Sequence, residues 1–390
     1  VSRATPARGF PDAEFESRVE RAQAAMAGSD IAALLLTTEP DVRYFSGFMT
    51  PFWQSPTRPW FLVVPARGKP VAVIPEIGAE RMATTWIEDI RVWPAPRPAD
   101  DGVSELAALL RDLTKSGGGV GLPMGHESLL RMPLSDYETL RSRLSGVAFA
   151  DASPIVRPLR MVKSALEIEK TRYVCQLVSD GFEGLGAIAR TGDVEREVFR
   201  ATRIDFLKRG VDEVPYLVGG SGPGGPIEVI GPPTDRVIAP GDVLMMDTGC
   251  VFDGYYSDFD RNFAFGHADD AARRAYDVVY KATEAGLAAA RPGATAADLW
   301  AAMAAVLDAG GSTGNAVGRL GHGLGTQLTE QPSNMPGDET VMVPGMVMTL
   351  EPGMTYADGR VMVHEENLVI RDGPPELLSR RAPESLPVLD

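Results

Sequence analysis

The chain has 390 residues, is 44% hydrophobic and carries a formal charge of −15, so it is too long for one compact core and too apolar for disorder, and two domains are expected. The acidic balance, with no run or stripe of Lys and Arg, argues against nucleic acid and anionic membrane surfaces as partners, and no apolar run reaches the length of a membrane span. Cys175 and Cys250 are the only cysteines and the polar lead has no apolar signal core, which suits a reducing cytoplasm and leaves any metal to oxygen and nitrogen ligands.

In chain order, Phe15, Val19, Ala22 and Met26 fall at helical spacing, and Gly28 then leads into the apolar run Ile31–Leu36, a buried strand. The segment 44–60 is rich in aromatics and Pro, a loop either packed against the rest of the molecule or used for contact. Residues 60–64 and 70–74 bracket Arg67-Gly68 as a hairpin, and 105–113 forms an amphipathic helix. Strands alternating with helices over about the first 150 residues predict an α/β domain. Pro154 and Pro158 mark a linker, which sets the domains at 1–157 and 158–390. Helices follow over 164–188 and Glu195–Arg209. The glycine-rich stretch 214–225 lacks the strand-to-helix setting of a phosphate-binding loop and reads as a wide turn between strands. A helix pair is predicted over 269–309, and no internal repeat is evident.

The chemistry centres on 243–263, which alternates apolar and polar residues about Asp253-Gly254, a strong hairpin signal. A two-residue turn there places Asp247 opposite Asp260 and Asp258 opposite Gly249, so Asp247, Asp258 and Asp260 share one face. Like charges so close need a bound cation or raised pKa values. Three further sites carry polar groups: His322 between glycines, Glu351 at the end of an apolar strand, and His364, Glu365 and Glu366 at the centre of a strand over 361–370. Two Asp, one His and two Glu offer hard oxygen ligands and one imidazole, a set that suits two divalent ions able to lower the pKa of a bound water.

At these residues the chain resembles the pita-bread metallohydrolases, the superfamily of methionine aminopeptidase, prolidase, Xaa-Pro aminopeptidase and creatinase. The resemblance covers nearly the whole chain. It rests on Asp247-x-Gly, Gly-Tyr-x-Ser-Asp258 with Arg261 two residues past Phe259, Gly-His322-Gly, Leu-Glu351-Pro-Gly and Glu365, in that order. It implies an α+β protein, with an N-terminal α/β creatinase-type domain and a C-terminal pita-bread catalytic domain. Asp247 would be bidentate on one ion, Asp258 and Glu365 would bridge, and His322 and Glu351 would bind the other; a one-residue slip would put Glu366 in place of Glu365. The ions would be Mn, Co, Fe or Zn, with Mn the choice made here. The segment 160–169 resembles the linker helix of creatinase-type enzymes and implies a homodimer, with the 52–60 loop a wall of the partner's pocket. Trp53, Arg58 and Trp60, with Tyr216 and Tyr255, are then the candidate substrate contacts.

The chain departs from the peptidases where they carry further histidines, which bind substrate or stabilise the tetrahedral intermediate: Ile230, Gly318 and Thr329 stand there. Losing one transition-state donor costs about 10²- to 10³-fold in rate. Asp260 stands where the family usually has Thr. Asp260, or Glu330 beside Thr329, would supply acid–base help, unless Asp260 simply pairs with Arg261. The resulting expectation is a dinuclear metal-dependent hydrolase that cleaves a C–N bond in a peptide or small peptide-like amide. The alternative is a lyase or hydrolase of a small non-peptide osmolyte, like dimethylsulfoniopropionate lyase or ectoine hydrolase, although Gly249 stands where the lyase has an extra Asp. A metal-free creatinase-like enzyme and a binding module rank lower, because the ligands are kept.

Overall fold

The computed structural model describes residues 4–55, 58–314 and 318–390. It divides into two compact units, Ala7–Arg160 and one built on Met161–Asp390. The linker expected from Pro154 and Pro158 is instead a helix, Ser153–Met161. Pro154 lies in its first turn, where no N–H is needed, and Pro158 removes one interior hydrogen bond. Burial of Ile155, Val156 and Leu159 holds the helix despite that loss.

The smaller unit is a six-stranded sheet in the order Asp89–Trp93, Val71–Pro75, Phe61–Pro65, Ile31–Leu36, Gly119–Leu122, Phe149–Asp151. Alternate residues feed two cores: Leu34, Leu36, Leu62 and Val64 on one face, Ala33, Leu35, Phe61 and Val63 on the other. A sheet buried on both faces reads as continuous apolar runs, which is why these strands stand out in the sequence. In the aromatic loop, Pro56 and Thr57 lie outside the described residues. Trp53 and Trp60 are buried with ring centroids 6.1 Å apart. Arg131 stacks 5.0 Å from the Trp53 ring and donates to the carbonyls of Trp53 and Arg58.

In the larger unit, Ser164 and Glu167 form a reciprocal capping box that starts helix Ala165–Glu183, and helix Glu195–Arg209 packs beside it. One sheet orders Val388–Leu389, Phe259–Phe265, Asp242–Phe252 and Glu213–Pro223; a second orders Glu330–Ser333, His322–Gly323, Val347–Leu350, Glu366–Val369 and Glu376–Leu377. The hairpin has the register its turn demands: Asp260 pairs with Asp247 and Tyr255 with Phe252, about Asp253 and Gly254 at φ 48° and 81°. Leu244, Met246, Phe259 and Phe263 join Val174, Val178 and Phe182 of the capped helix in one core. Side-chain alternation then turns Asp247, Asp258 and Asp260 to the opposite face. Helices Asp270–Ala289 and Ala296–Ala309 share another core with Met348, Leu350 and Leu368.

Two further expectations are corrected here. The stretch 214–225 is no wide turn: Glu213–Pro223 is a strand laid along Asp242–Phe252. Its glycines answer to that neighbour, since Gly219 has φ 121° and an added Cβ would stand 2.2 Å from Met245 O. The strand expected over 361–370 is broken at His364-Glu365. Arg360–Val363 folds back on Gly353–Tyr356, and Glu366–Val369 joins the second sheet. Among the described residues no helix is long and apolar enough to cross a membrane.

Candidate metal centre

Asp258 stands where the hairpin ladder lapses, between Tyr255–Tyr256 and Phe259–Phe265. The Asn367 side chain fills the gap as a neighbouring strand would: its Oδ1 accepts the Asp258 N–H at 2.9 Å and its Nδ2 donates to the Asp258 carbonyl. Cys175 Sγ, 3.1 Å from Asn367 Oδ1, fixes the amide from behind. His322 is reached differently. Gly321, at φ 134°, brings the chain so close to Thr349 O that an added Cβ would lie 2.3 Å away, and His322 N–H then donates to Thr349 Oγ1 at 3.0 Å. His322 Nδ1 lies 2.9 Å from Gly323 O. A carbonyl can only accept, so that contact assigns the proton to Nδ1 and leaves the Nε2 lone pair facing the carboxylates.

The ligand atoms of Asp258, His322 and Glu365 all lie within 4.8 Å of one another, and all three residues are buried. His322 Nε2 is 3.3 Å from Asp258 Oδ2 and 3.9 Å from Glu351 Oε1. Tyr216 Oη donates to Asp258 Oδ1 and lies 3.3 Å from Asp247 Oδ1, so one hydroxyl spans both aspartates. Burial raises Asp247 well above the ordinary carboxyl value, and Asp258, Asp260 and Glu351 add to it. Glu365 is raised in the same way by burial and then by Asp258, and Glu351 by burial with Asp258 adding. Burial alone would lower His322, but Glu351 and Asp258 outweigh it and raise the imidazole.

Glu351 Oε1, Glu365 Oε1 and Asp260 Oδ2 are buried without a hydrogen-bond partner among the described residues. Buried carboxylate oxygens are seldom left so, and a divalent cation would satisfy them. The donor set of oxygens and one bare imidazole nitrogen fits a first-row divalent ion. Three of the five expected ligands therefore lie in one tight group, with Asp247 joined through Tyr216 and Glu351 beside His322.

The adjacent glutamates separate cleanly. Glu365 faces the group, whereas Glu366 pairs with Arg261 at 3.0 Å and accepts from Ser379 Oγ and from Ala382 N–H at 2.9 Å. Asp260 Oδ1 accepts the Glu365 N–H at 3.1 Å. Burial pushes Asp260 up to about 7 against the pull of Arg261, whose guanidinium is engaged with Glu366. The Glu330 carboxylate is committed to Lys163 Nζ at 2.9 Å in a buried ion pair. Thr329 Oγ1 accepts from Arg319 Nη2 at 3.3 Å.

Tyr255, at 1% exposure and donating to Glu167 Oε1 at 2.9 Å, has almost no surface to offer a substrate. Trp53, Arg58 and Trp60 belong to the smaller unit. Asn367, Lys163 and Arg319 were not singled out in the sequence. An Asn inside an apolar strand was a legible signal for the first, since a buried amide needs partners. Lys163 and Arg319 carried none.

Comparison with known proteins adds two family matches. Metallopeptidase family M24 matches residues 169–372, and the creatinase/prolidase N-terminal domain matches residues 18–162. A probable dipeptidase, PepE, of Mycobacterium tuberculosis is 30% identical over 368 residues, covering 93% of each chain. An Xaa-Pro dipeptidase of Lactobacillus helveticus is 31% identical over 250 residues, 62% of this chain and 67% of that one. The crystal structure of dipeptidase PepE from Mycobacterium ulcerans superposes with a TM-score of 0.85 at 28% identity, covering 98% of this chain and all of that one, 100%.

Proposed function

The chain belongs to metallopeptidase family M24 and is a hydrolase of that superfamily, and from this premise we propose that it cleaves the C–N bond of a dipeptide or small peptide-like amide with two divalent ions. The observation that carries the reading is the buried Asp258, His322 and Glu365 group, with unpartnered oxygens on Glu365 and Glu351. Asp247 would hold one ion, His322 and Glu351 the other, with Asp258 and Glu365 shared, and manganese is the first choice for so oxygen-rich a set. When bound, such ions polarise the scissile carbonyl and activate water.

The chain's own residues set the conditions. Tyr216 Oη spans Asp247 and Asp258 and keeps their oxygens converged. Asn367 fixes the backbone of Asp258, and Asp260 Oδ1 fixes that of Glu365. In this reading Asp260, whose Oδ2 is buried without a hydrogen-bond partner among the described residues, would hold a proton while the C–N bond breaks. Glu330 is tied to Lys163 in a buried ion pair, so in this reading Glu330 anchors its loop, and Thr329 positions Arg319.

Relatives named dipeptidase and Xaa-Pro dipeptidase support a dipeptide substrate. The same reading makes the protein a cytoplasmic homodimer, and a role of Arg58 as a substrate contact depends on that assembly; Trp60, at 1% exposure, has as little surface to offer as Tyr255, and Trp53, at 7%, has little more. A second reading, a hydrolase or lyase of a small non-peptide osmolyte, is favoured by Ile230, Gly318 and Thr329, none of which can replace a histidine's chemistry. The test is to strip the protein, reload it with Mn²⁺, Co²⁺, Fe²⁺ or Zn²⁺, and offer Xaa-Pro and other dipeptides, cyclic amides and sulfonium osmolytes. Stoichiometric metal and dipeptide cleavage support the first reading, and turnover of osmolytes alone moves the assignment to the second. A folded protein that takes up no divalent ion would falsify both.

A further inference from the structure

The second sheet carries two polar side chains where its pattern calls for apolar ones. Val347–Leu350 and Glu366–Val369 run antiparallel, with Val347 opposite Val369 and Thr349 opposite Asn367. Residues two apart on a strand share a face, and directly opposed residues share it too, so all four side chains stand on one face. Val347 and Val369 enter the same core as Cys175 and Phe182. Thr349 and Asn367 are buried beside them, each at 0% exposure, where a polar group is costly unless it is hydrogen-bonded.

Their partners are the backbones of two candidate ligands that come from different elements. Thr349 Oγ1 accepts the His322 N–H at 3.0 Å, and Asn367 takes both main-chain groups of Asp258, the N–H at 2.9 Å and the carbonyl. Each is held in turn: Asn334 Nδ2 donates to Thr349 O at 3.1 Å, and Cys175 Sγ donates to Asn367 Oδ1 at 3.1 Å. Branching at Cβ restricts Thr349 to few rotamers, which fixes its hydroxyl. Opposed residues of an antiparallel pair stand about 4.5 to 5.5 Å apart at Cα. The hairpin of the first sheet and the glycine-flanked turn at His322 therefore hang from neighbouring points of one rigid ladder, and His322 Nε2 ends 3.3 Å from Asp258 Oδ2.

We propose that the cross-strand pair Thr349–Asn367 is the positioning unit of the centre: it sets the distance between Asp258 and His322, and Cys175 acts through Asn367. The proposal deepens the two-ion reading above and rests on it. In that reading His322 serves one ion and Asp258 serves both, so the two members of the pair differ in reach. Loss of the Thr349 hydroxyl loosens one ion, and loss of the Asn367 amide loosens both. A role in folding alone would not divide the ions in this way.

The test is calorimetric titration of the metal-free, full-length protein with Mn²⁺, read beside amide hydrogen exchange resolved to single residues. The wild type should bind two ions. Thr349→Val, the same shape without the hydroxyl, should weaken one ion about 10- to 100-fold and leave the other within a few-fold, and Thr349→Ser should restore the first. Asn367→Ala should weaken both ions, and Cys175→Ala should weaken both by only a few-fold. In the metal-free protein the His322 amide should exchange at least ~10-fold faster in Thr349→Val, measured against the amide of Leu324, which bonds to Val347 O and not to the pair. A Thr349→Val protein that holds both ions as the wild type does, or loosens both equally, overturns the proposal, and so does a Thr349→Ser protein no better than Thr349→Val. If Thr349→Val does not fold, Thr349→Cys, a weaker acceptor of similar size, is read by the same criteria. The two readings fail separately. A wild type that binds fewer than two ions sinks the two-ion reading, and exchange at His322 then decides the pair: a faster rate in the variant keeps it, and an unchanged rate overturns it.

Discussion

Glu195 and Glu365 are both buried acids of the larger unit, yet their surroundings are opposite. Glu195 is 2% exposed and saturated: Oε2 accepts from Ser221 N–H and Oγ, and Oε1 from Thr234 N–H and Oγ1. Glu365 is 3% exposed, lies among other acids, and has an oxygen with no hydrogen-bond partner among the described residues. Burial is common to both, so burial does not mark function. What separates a structural acid from a ligand is whether the fold itself supplies the donors.

The contrast should break first at Glu365. Glu365→Gln is expected to lose about 10³-fold or more in turnover and most of its bound metal, while the metal-free protein unfolds at the same temperature or higher, because one buried charge has been removed. Metal analysis and thermal unfolding of one sample read both halves. Glu195→Ala should give the mirror image: metal content kept, and stability lower by about 3 kcal/mol in urea unfolding, since the donors of Ser221 and Thr234 are left without their acceptor. If both variants lose metal equally, the distinction is wrong. Between them lies Asn367→Ala, which touches no metal but releases the Asp258 backbone; metal affinity should fall about 10- to 100-fold, as for other groups that orient ligands.

The smallest expected effect is on pH dependence. In the metal-free protein burial holds Asp260 near 7 against an ordinary value of 3.8. A raised folded pKa means that the folded state binds the proton more tightly, so the stability linked to it is full below the unfolded value and is lost as pH rises through about 7. Asp247, Glu351 and Glu365 shift in the same direction. The unfolding midpoint in chelator should therefore fall by a few degrees between about pH 5.5 and 8, and saturating Mn²⁺ should flatten the slope. A slope unchanged by metal would show that these acids do not form the binding site.

Much of the centre was legible because strands have a period of two. Once Asp253-Gly254 fixes the turn, the pairing of Asp247 with Asp260 follows by counting, and the structure has that register. The division between Glu365 and Glu366 was not legible, because it depends on where the strand breaks, and the break at His364 is set by the partners of the two halves, Gly353–Tyr356 and Val347–Leu350. Glycine content concealed the strand Glu213–Pro223, whose need for small residues comes from Met245 across the sheet, a fact no local window contains. Prolines likewise suggested a linker in Ser153–Met161, where three apolar side chains with buried partners decided for helix.

The tight turn at Asp253-Gly254 acts as a ruler for the whole centre. Asp253 is bound to Lys170 Nζ on the capped helix, and its N–H donates to Asp212 at 2.7 Å, so the tip is fastened at both sides and has no slack. One residue inserted there would have to be absorbed as a bulge or would slide one arm past the other, turning Asp258 and Asp260 into the apolar core and Phe259 out of it. An insertion at the tip that is not taken up as a bulge therefore turns the aspartates away from His322 and Glu365, whatever the rest of the chain does.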